Sequence, residues 1–221
     1  MAEDLWHTVD RVLAELVADQ DPLLHEVLAA NAAAGLPAID VSPLHGKLLY
    51  VLALAIGARR ILELGTLGGY STIWLARALP EGGRVVTIEL EPAYAEVARA
   101  NVARAGLSAL VEQRVGPALD GLEALIAEGA APFDLVFVDA DKQTTPEYFQ
   151  RSLELARPGT LIFVDNVVRG GSVAEPADPG ARGMRRFVEL LGEEPRVEGT
   201  VIQTVGSKGW DGFALAFVRR L

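Results

Sequence analysis

Residues 133–142 read FDLVFVDADK, an apolar run followed by two aspartates and a lysine. Residues 161–166, LIFVDN, repeat this order of an apolar run and a polar end. Short apolar runs of this kind are typical of parallel strands that are buried on both faces. Because ligands bind at the carboxyl ends of strands in open α/β sheets, Asp139, Asp165 and Asn166 are predicted to share one edge.

The polar residues at this edge allow two interpretations. The oxygens of Asp139, Asp165 and Asn166 could hold a metal ion, with Lys142 close by. Alternatively, these residue types only begin loops and cap helices there, as they commonly do. The two stretches alone favour neither interpretation.

From residue 60 onward, predicted strands alternate with predicted helices. The strands lie near 60–64, 84–88, 110–115, 134–138 and 160–164, and the helices near 70–79, 92–105, 117–128, 144–156 and 182–191. This alternation indicates a parallel sheet with right-handed crossovers. Two further β runs, 197–205 and 213–219, flank the glycine-rich segment 206–212, which predicts an antiparallel hairpin at the end of the sheet.

The N-terminal part of the chain carries helical patterns that precede any strand. Apolar residues recur at helical spacing in 5–17 and 23–28, and Ser42-Pro43 begins a third helix. We expect a single domain, 1–221, with an N-terminal helical layer over 1–58 and an α/β core over 59–221. The layer could cover the sheet, roof a site or pair two subunits.

The composition narrows the classes of protein. A chain of 221 residues with 50% hydrophobic and 23% charged residues is expected to fold into a globular domain. Its net charge of −10 disfavours nucleic acid and anionic membranes as partners, and the lack of cysteine excludes disulfides and thiolate metal sites. The acidic N-terminus does not resemble a secretory signal, and the longest apolar run is too short to span a bilayer, so we expect a cytoplasmic protein.

A glycine-rich turn joins the first strand of the core to its first helix, in residues 63–71, ELGTLGGYS. Glycines there let a ligand approach the backbone, but Leu67 stands where a pyrophosphate-binding loop prefers glycine. Glu89 ends the second strand and is placed to accept hydrogen bonds from both ribose hydroxyls of an adenosine cofactor. With Glu63 nearby, this acidic site favours S-adenosylmethionine, a cationic cofactor without phosphate.

Taken in order, these motifs resemble the cation-dependent O-methyltransferases, the family of catechol and caffeoyl-CoA O-methyltransferases, and most closely its short bacterial members. The match covers about residues 40–221. The resemblance implies a Rossmann-like class I methyltransferase fold. That fold has a seven-stranded, mostly parallel sheet with an antiparallel last strand, helices on both faces and extra N-terminal helices.

The resemblance also implies roles for individual residues. Asp139, Asp165 and Asn166 match the metal ligands of the family, and Lys142, beside Asp139, matches its catalytic lysine. The residues implied at the cofactor are Glu63, Gly65, Gly69, Ser71, Glu89, Gly116, Ala118, Asp139 and Asp141. Oxygen ligands without histidine or cysteine favour Mg²⁺, with Mn²⁺ or Ca²⁺ as alternatives.

The implied reaction is methylation of one hydroxyl of a small catechol-like substrate. A phenol with a pKa of ~10 is a poor nucleophile at neutral pH, and a divalent ion that chelates two neighbouring hydroxyls would acidify and orient one of them. Lys142 could take the phenol proton or, if it stays charged, stabilise the phenolate. Substrate selectivity is expected in segments 38–45, 167–183 and 208–211, where Trp210 could stack on an aromatic acceptor or pack against protein.

Several alternatives stay open. The acceptor could be a caffeoyl-CoA ester, although no basic cluster suited to coenzyme A stands out beyond four arginines around the 167–183 loop. The enzyme could use no metal, or the protein could be a nicotinamide-dependent oxidoreductase, which Leu67 and the final hairpin disfavour, or a non-catalytic binding protein.

The apolar helix faces and the resemblance predict a homodimer. His7, His25 and His45 are expected to be surface or packing residues, with His45 the nearest to the acceptor.

Overall fold

The structure, a computed structural model, describes residues 2–18 and 21–219, with side chains from residue 5 onward. Residues 1, 19, 20, 220 and 221, which the predicted layer and core include, lie outside the described residues. The helices are α1 Ala2–Val17, α2 Pro22–Ala33, α3 Pro43–Ala55, α4 Tyr70–Arg77, α5 Pro92–Arg104, α6 Ala118–Ala127, α7 Thr145–Glu154 and α8 Pro179–Glu193. The strands are β1 Arg60–Leu64, β2 Arg84–Glu89, β3 Val111–Val115, β4 Phe133–Val138, β5 Ala156–Val164, β6 Val197–Gly206 and β7 Gly209–Val218.

The seven strands form one sheet in the order β3-β2-β1-β4-β5-β7-β6. Neighbours from β3 to β5 pair in parallel, and β7 pairs antiparallel with both β5 and β6. Every residue of β4 is buried, including Asp134, as its otherwise apolar sequence predicts. The predicted fold class, a mostly parallel seven-stranded sheet with an antiparallel last strand, is therefore confirmed.

Helices cover both faces of the sheet because side chains alternate along each strand. On β4, Val136 and Val138 pack into a core with α6, α7 and α8, whereas Leu135 and Phe137 pack into a second core with α3 and α4. A third core joins α2 to α4 and α5. No helix in the described ranges is long and apolar enough to cross a bilayer. The cytoplasmic location stays a prediction.

The last hairpin is tighter than predicted. The turn consists of Ser207 and Lys208 alone, and β7 begins at Gly209, in place of a loop that continues to residue 212. Gly209 has φ +90°, a left-handed conformation that glycine adopts without strain. The β6–β7 pairing therefore includes Trp210, which pairs with Val205, and Asp211, which pairs with Thr204. This register fixes the positions of both side chains.

Helix α8 also differs from the prediction, since it begins at Pro179 and not near residue 182. Asp178 caps it by accepting a hydrogen bond from the Ala181 N–H at 2.9 Å, and proline at the first helical position completes the start signal. A single 3₁₀ turn, Arg169–Gly171, occupies the segment between β5 and α8.

Candidate active site

A cavity of about 690 Å³ opens at the carboxyl ends of β1, β2 and β4, and we call it the glycine-turn cavity. Six of the nine predicted cofactor residues line it: Gly65, Ser71, Glu89, Ala118, Asp139 and Asp141. The other three, Glu63, Gly69 and Gly116, lie beside it in the same elements or turns. The structure thus brings the two acidic strand ends and the glycine-rich turn together.

Glu89 holds the glycine-rich turn in place. One of its carboxylate oxygens accepts the N–H groups of Thr66 and Leu67, at 3.0 and 2.7 Å, and the other accepts the N–H of Glu91 at 2.9 Å. Gly65 has φ +92°, and a Cβ there would collide with the backbone carbonyl of Asp139. Glycine is therefore required for β1 and β4 to approach at the cavity floor.

Glu63 lies beneath the cavity and is fully buried. Its carboxylate accepts hydrogen bonds from the hydroxyls of Ser71, Thr72 and Thr87, at 2.6, 2.5 and 2.6 Å. Burial raises its pKa to about 7, against the opposing effect of these three donors. Glu63 therefore reaches the cavity through Ser71, which it orients, and not by lining the wall.

Asp141 is fixed at the far side of the glycine-turn cavity. It accepts hydrogen bonds from the Tyr148 hydroxyl and from the backbone and side chain of Thr144. Burial opposes its ionisation, but these donors outweigh burial and lower the pKa of Asp141. Tyr148 lines the cavity too, which could not be predicted because an aromatic residue on a helix is usually a core residue.

A second cavity of about 690 Å³ lies on the other side of segment 39–41, and we call it the hairpin cavity. Asp139, Asp165 and Asn166 all line it, so the three predicted metal ligands meet at one wall. Residues from the N-terminal layer and the last hairpin close it: Asp10, Ser42, His45, Leu48, Lys208, Trp210 and Asp211. Asp139 and Asn166 line both cavities.

The two acids of this wall have few partners. Asp165 is 6% exposed; its Oδ1 accepts the N–H of Asn166 at 2.8 Å, and its Oδ2 lies 3.7 Å from His45 Nε2. Burial and the negative charge of Asp139 raise the pKa of Asp165 well above its usual value. Asp139 Oδ1 pairs with Lys142 Nζ at 2.5 Å. Among the described residues no three histidine, aspartate or glutamate side chains form a metal cluster, so the candidate set is two carboxylates and one amide.

Asp211 positions Asn166. Asn166 has a left-handed φ of +57°, and its Nδ2 donates to Asp211 Oδ2 at 3.1 Å. Asp211 Oδ1 also accepts the N–H groups of Val168 and Arg169, at 3.1 and 2.8 Å. Because the Nδ2 group of Asn166 is bound to Asp211, its amide oxygen is left available to a ligand in the cavities. Asp211 lies in segment 208–211, where substrate selectivity was expected, but its role in positioning Asn166 was not predicted because it depends on the register of β7.

His45 is the one histidine at the site, as the sequence suggested, whereas His7 and His25 line neither cavity. Its ring meets Phe163 and Phe213 edge-on, with centroids 5.2 and 5.8 Å apart. Burial lowers its pKa, which favours the neutral ring, and within the described chain its Nε2 makes no hydrogen bond.

Trp210 lines the hairpin cavity, and its Nε1 donates to Gln203 Oε1 at 3.0 Å. One face of the cavity is thus aromatic, and another carries the acids. A molecule in each cavity would meet the other at Asp139 and Asn166, which is the arrangement that a group transfer between two ligands needs.

Comparison with known proteins agrees with this geometry. The O-methyltransferase family model matches residues 14–218. The chain is 55% identical over 212 residues to a catechol O-methyltransferase of Mycobacterium tuberculosis, covering 96% of this chain and 95% of that protein. An O-methyltransferase from Bacillus cereus, solved in complex with SAH, superposes with a TM-score of 0.95 at 54% identity over 98% of this chain and 99% of that one. The O-methyltransferase TomG from Streptomyces achromogenes, solved with SAM, gives a TM-score of 0.95 at 51% identity over the full length of both chains.

Proposed function

The chain belongs to the O-methyltransferase family, and from this premise we propose that it uses S-adenosylmethionine and a divalent metal ion to methylate one hydroxyl of a small ortho-dihydroxy aromatic compound. The observation that carries the proposal is the boundary between the two cavities. Asp139 and Asn166 line both cavities, Asp165 lines the hairpin cavity beside them, and Lys142 pairs with Asp139.

The glycine-turn cavity is the cofactor site in this proposal. The turn at Gly65 admits a ligand close to the backbone, Glu89 offers carboxylate oxygens to a ribose, and Ser71 lies near the methionine end. The acids around this cavity favour the sulfonium and amino charges of S-adenosylmethionine and would repel a pyrophosphate. The relatives solved with SAM and SAH support the same choice.

The three oxygen-bearing side chains of Asp139, Asp165 and Asn166 fit a divalent metal ion. Asp165 is a nearly buried acid beside the second acid Asp139, and a dication would offset the repulsion between them. The donor set of Asp139, Asp165 and Asn166 consists of hard oxygens, which suits Mg²⁺ and, as alternatives, Mn²⁺ or Ca²⁺. When bound, the ion would lower the pKa of a chelated hydroxyl and fix its oxygen toward the cofactor. A metal-independent methyltransferase is the alternative, in which these acids only cap loops.

The hairpin cavity is the acceptor site in this proposal. Trp210 and Phe213 offer an aromatic surface for a ring. Of the residues that line this cavity, only Arg169 and Lys208 carry a permanent positive charge, and Asp10 and Asp40 add negative charge. The phosphates of a coenzyme A ester would be poorly neutralised there, so a free catechol is favoured over a caffeoyl-CoA type of acceptor. The name of the Mycobacterium relative supports this choice.

An assay of isomeric acceptors tests the proposal. With S-adenosylmethionine and Mg²⁺, we expect catechol to be methylated about 100-fold faster than resorcinol, its meta isomer, because only adjacent hydroxyls can chelate one ion. Resorcinol is the matched control, since its size, apolar surface and phenol chemistry are nearly the same. Equal rates for the two isomers, measured by methyl-group transfer from labelled cofactor, would show that chelation does not select the acceptor.

We also propose that the protein forms a homodimer through α1 and the last hairpin. Leu5 and Leu13 of α1 are 65% and 47% exposed, and Phe217 of the neighbouring hairpin is 45% exposed, so the two elements offer apolar surface to a second copy. Sedimentation is expected to show a dimer that the double change Leu5→Glu/Leu13→Glu dissociates. Val115→Glu, at an exposed apolar position on β3 at the opposite edge of the sheet, should leave the dimer intact. A monomeric wild-type protein would contradict this proposal.

A further inference from the structure

A chain of buried amides connects α5, α2 and segment 39–41. Asn31 and Asn101 are 2% and 1% exposed, and Asn101 Nδ2 donates to Asn31 Oδ1 at 2.9 Å. Asn31 Nδ2 then donates to Asp40 Oδ1 at 2.9 Å. Buried polar side chains cost stability unless they are satisfied, so a linked pair of buried asparagines calls for an explanation beyond packing.

The hydrogen bonds fix the orientation of both side-chain amides. Asn101 Nδ2 donates to Asn31 Oδ1 and to the carbonyl of Gly68, both at 2.9 Å, and Asn101 Oδ1 accepts a hydrogen bond from Arg104 at 2.7 Å. With its Oδ1 occupied by a donor, Asn31 must turn its NH₂ toward Asp40. Flipping either amide would place like groups against each other, so the hydrogen bonds specify a single arrangement.

One end of the chain is the glycine-rich turn of the cofactor site. The Gly68 carbonyl is bonded to Asn101, and a Cβ at Gly68 would collide with the side-chain amide of Asn31. The neighbouring Leu67, whose N–H Glu89 binds, has a left-handed φ of +49°. The amide pair therefore supports the turn at Gly68, in addition to the bonds that Glu89 makes with the Thr66 and Leu67 N–H groups.

The other end is the partition between the two cavities. Residues 39–41 line both the glycine-turn cavity and the hairpin cavity. This segment follows α2 and has no strand or helix hydrogen bonds of its own. Val41 packs against two of the hydrophobic cores, and Lys208 Nζ donates to the carbonyl of the preceding Ala38 at 3.2 Å. Between these contacts, the side chain of Asp40 is held by the bond from Asn31.

We propose that Asn31 and Asn101 are positioning residues for methyl transfer, because their amides fix the 39–41 partition against the glycine-rich turn and so set how cofactor and acceptor face each other. The inference rests on the proposed assignment of the two cavities. It does not depend on the metal ion or on the identity of the acceptor.

A charge-conserving swap tests this role. In Asn31→Asp the new carboxylate faces Asp40 in place of the NH₂ group, and we expect the Kd for S-adenosylhomocysteine and the KM for catechol each to rise about 10-fold. The double change Asn31→Asp/Asp40→Asn restores a hydrogen bond of reversed polarity and is expected to recover most of both losses. Asp40→Asn alone keeps an acceptor for Asn31 but removes a charge from the lining of both cavities, so the double variant is compared with Asp40→Asn as well as with Asn31→Asp. A double variant no better than Asn31→Asp would overturn the proposal.

Two further variants separate positioning from stability. Val27→Ala lies one turn earlier on the buried side of α2, so it should lower the Tm without changing either binding constant. If Asn31→Asp does not fold, Asp40→Leu removes the hydrogen-bond acceptor of Asn31. It should weaken binding more than Asp40→Asn, which removes the same charge from the cavity lining but keeps an acceptor for Asn31. If Asp40→Leu and Asp40→Asn bind S-adenosylhomocysteine equally well, the Asn31–Asp40 bond does not position the cofactor site and the proposal is refuted. Calorimetry with S-adenosylhomocysteine needs no acceptor, so this test still applies if catechol is not methylated. A wild-type protein that does not bind S-adenosylhomocysteine would instead refute the assignment of the cofactor cavity.

Discussion

Replacing Lys142 by methionine is expected to lower kcat for methyl transfer at pH 7 by about 100- to 10,000-fold, the range that a positioned proton acceptor contributes. Lys142 Nζ lies 2.5 Å from Asp139 Oδ1, and Asp139 lies on the wall between the two cavities. Among the described residues, no other lysine or arginine forms an ion pair with Asp139 or Asp165. In the proposed reaction, Lys142 either receives the phenol proton as the oxygen attacks the methyl group or stays charged and stabilises the phenolate, and the first role predicts the larger loss.

The pH dependence of the variant identifies the lost role. Without a proton acceptor, the Lys142→Met rate should rise about tenfold per pH unit up to the pKa of the metal-chelated hydroxyl, which lies below the ~10 of a free phenol, because only spontaneously ionised acceptor reacts. Lys142→Arg is the matched control, since arginine keeps the charge but cannot give up its proton in a protein. We expect arginine to be nearly as defective as methionine at pH 7. An arginine variant with full activity would show that charge alone suffices and would exclude proton transfer to Lys142.

The strand ends could be predicted because their signals are local. Phe133–Val138 is apolar except for Asp134, and the acids that follow it are expected at the carboxyl edge of a parallel sheet. The same holds for Asp165 and Asn166 after β5. The predicted metal and cofactor residues therefore meet, although their roles stay predictions.

The supporting residues could not be predicted because their positions depend on tertiary register. Asp211 reaches Asn166, 45 residues away in the chain, only because the turn closes at Gly209 and not at residue 212. Asn31 and Asn101 are separated by 70 residues, and each looks like an ordinary polar position on a helix. Nothing in the local pattern shows that two such amides are buried against each other.

Replacing Asp165 by asparagine is expected to abolish metal-dependent turnover, with a loss of about 1000-fold or more in kcat, because a Lewis acid supplies several kcal/mol of transition-state stabilisation. The same variant should be more stable than the wild type without metal. Asp165 is nearly buried, and burial together with the charge of Asp139 raises its pKa, so its carboxylate opposes folding. Asparagine keeps the shape and removes that charge.

Thermal unfolding gives a readout that does not depend on activity. In the wild type, Mg²⁺ at about 100 times its Kd should raise the Tm by about 5–10 °C, since binding to the folded state alone stabilises it. Asp165→Asn should lose this shift, whereas Asp178→Asn, which removes an acid at the start of α8, should keep it. EDTA should stop methyl transfer by the wild type, and added Mg²⁺ should restore it. Undiminished turnover in EDTA, or an equal Mg²⁺ shift in Asp165→Asn, would mean that Asp139, Asp165 and Asn166 serve the fold of the strand ends and hold no metal ion.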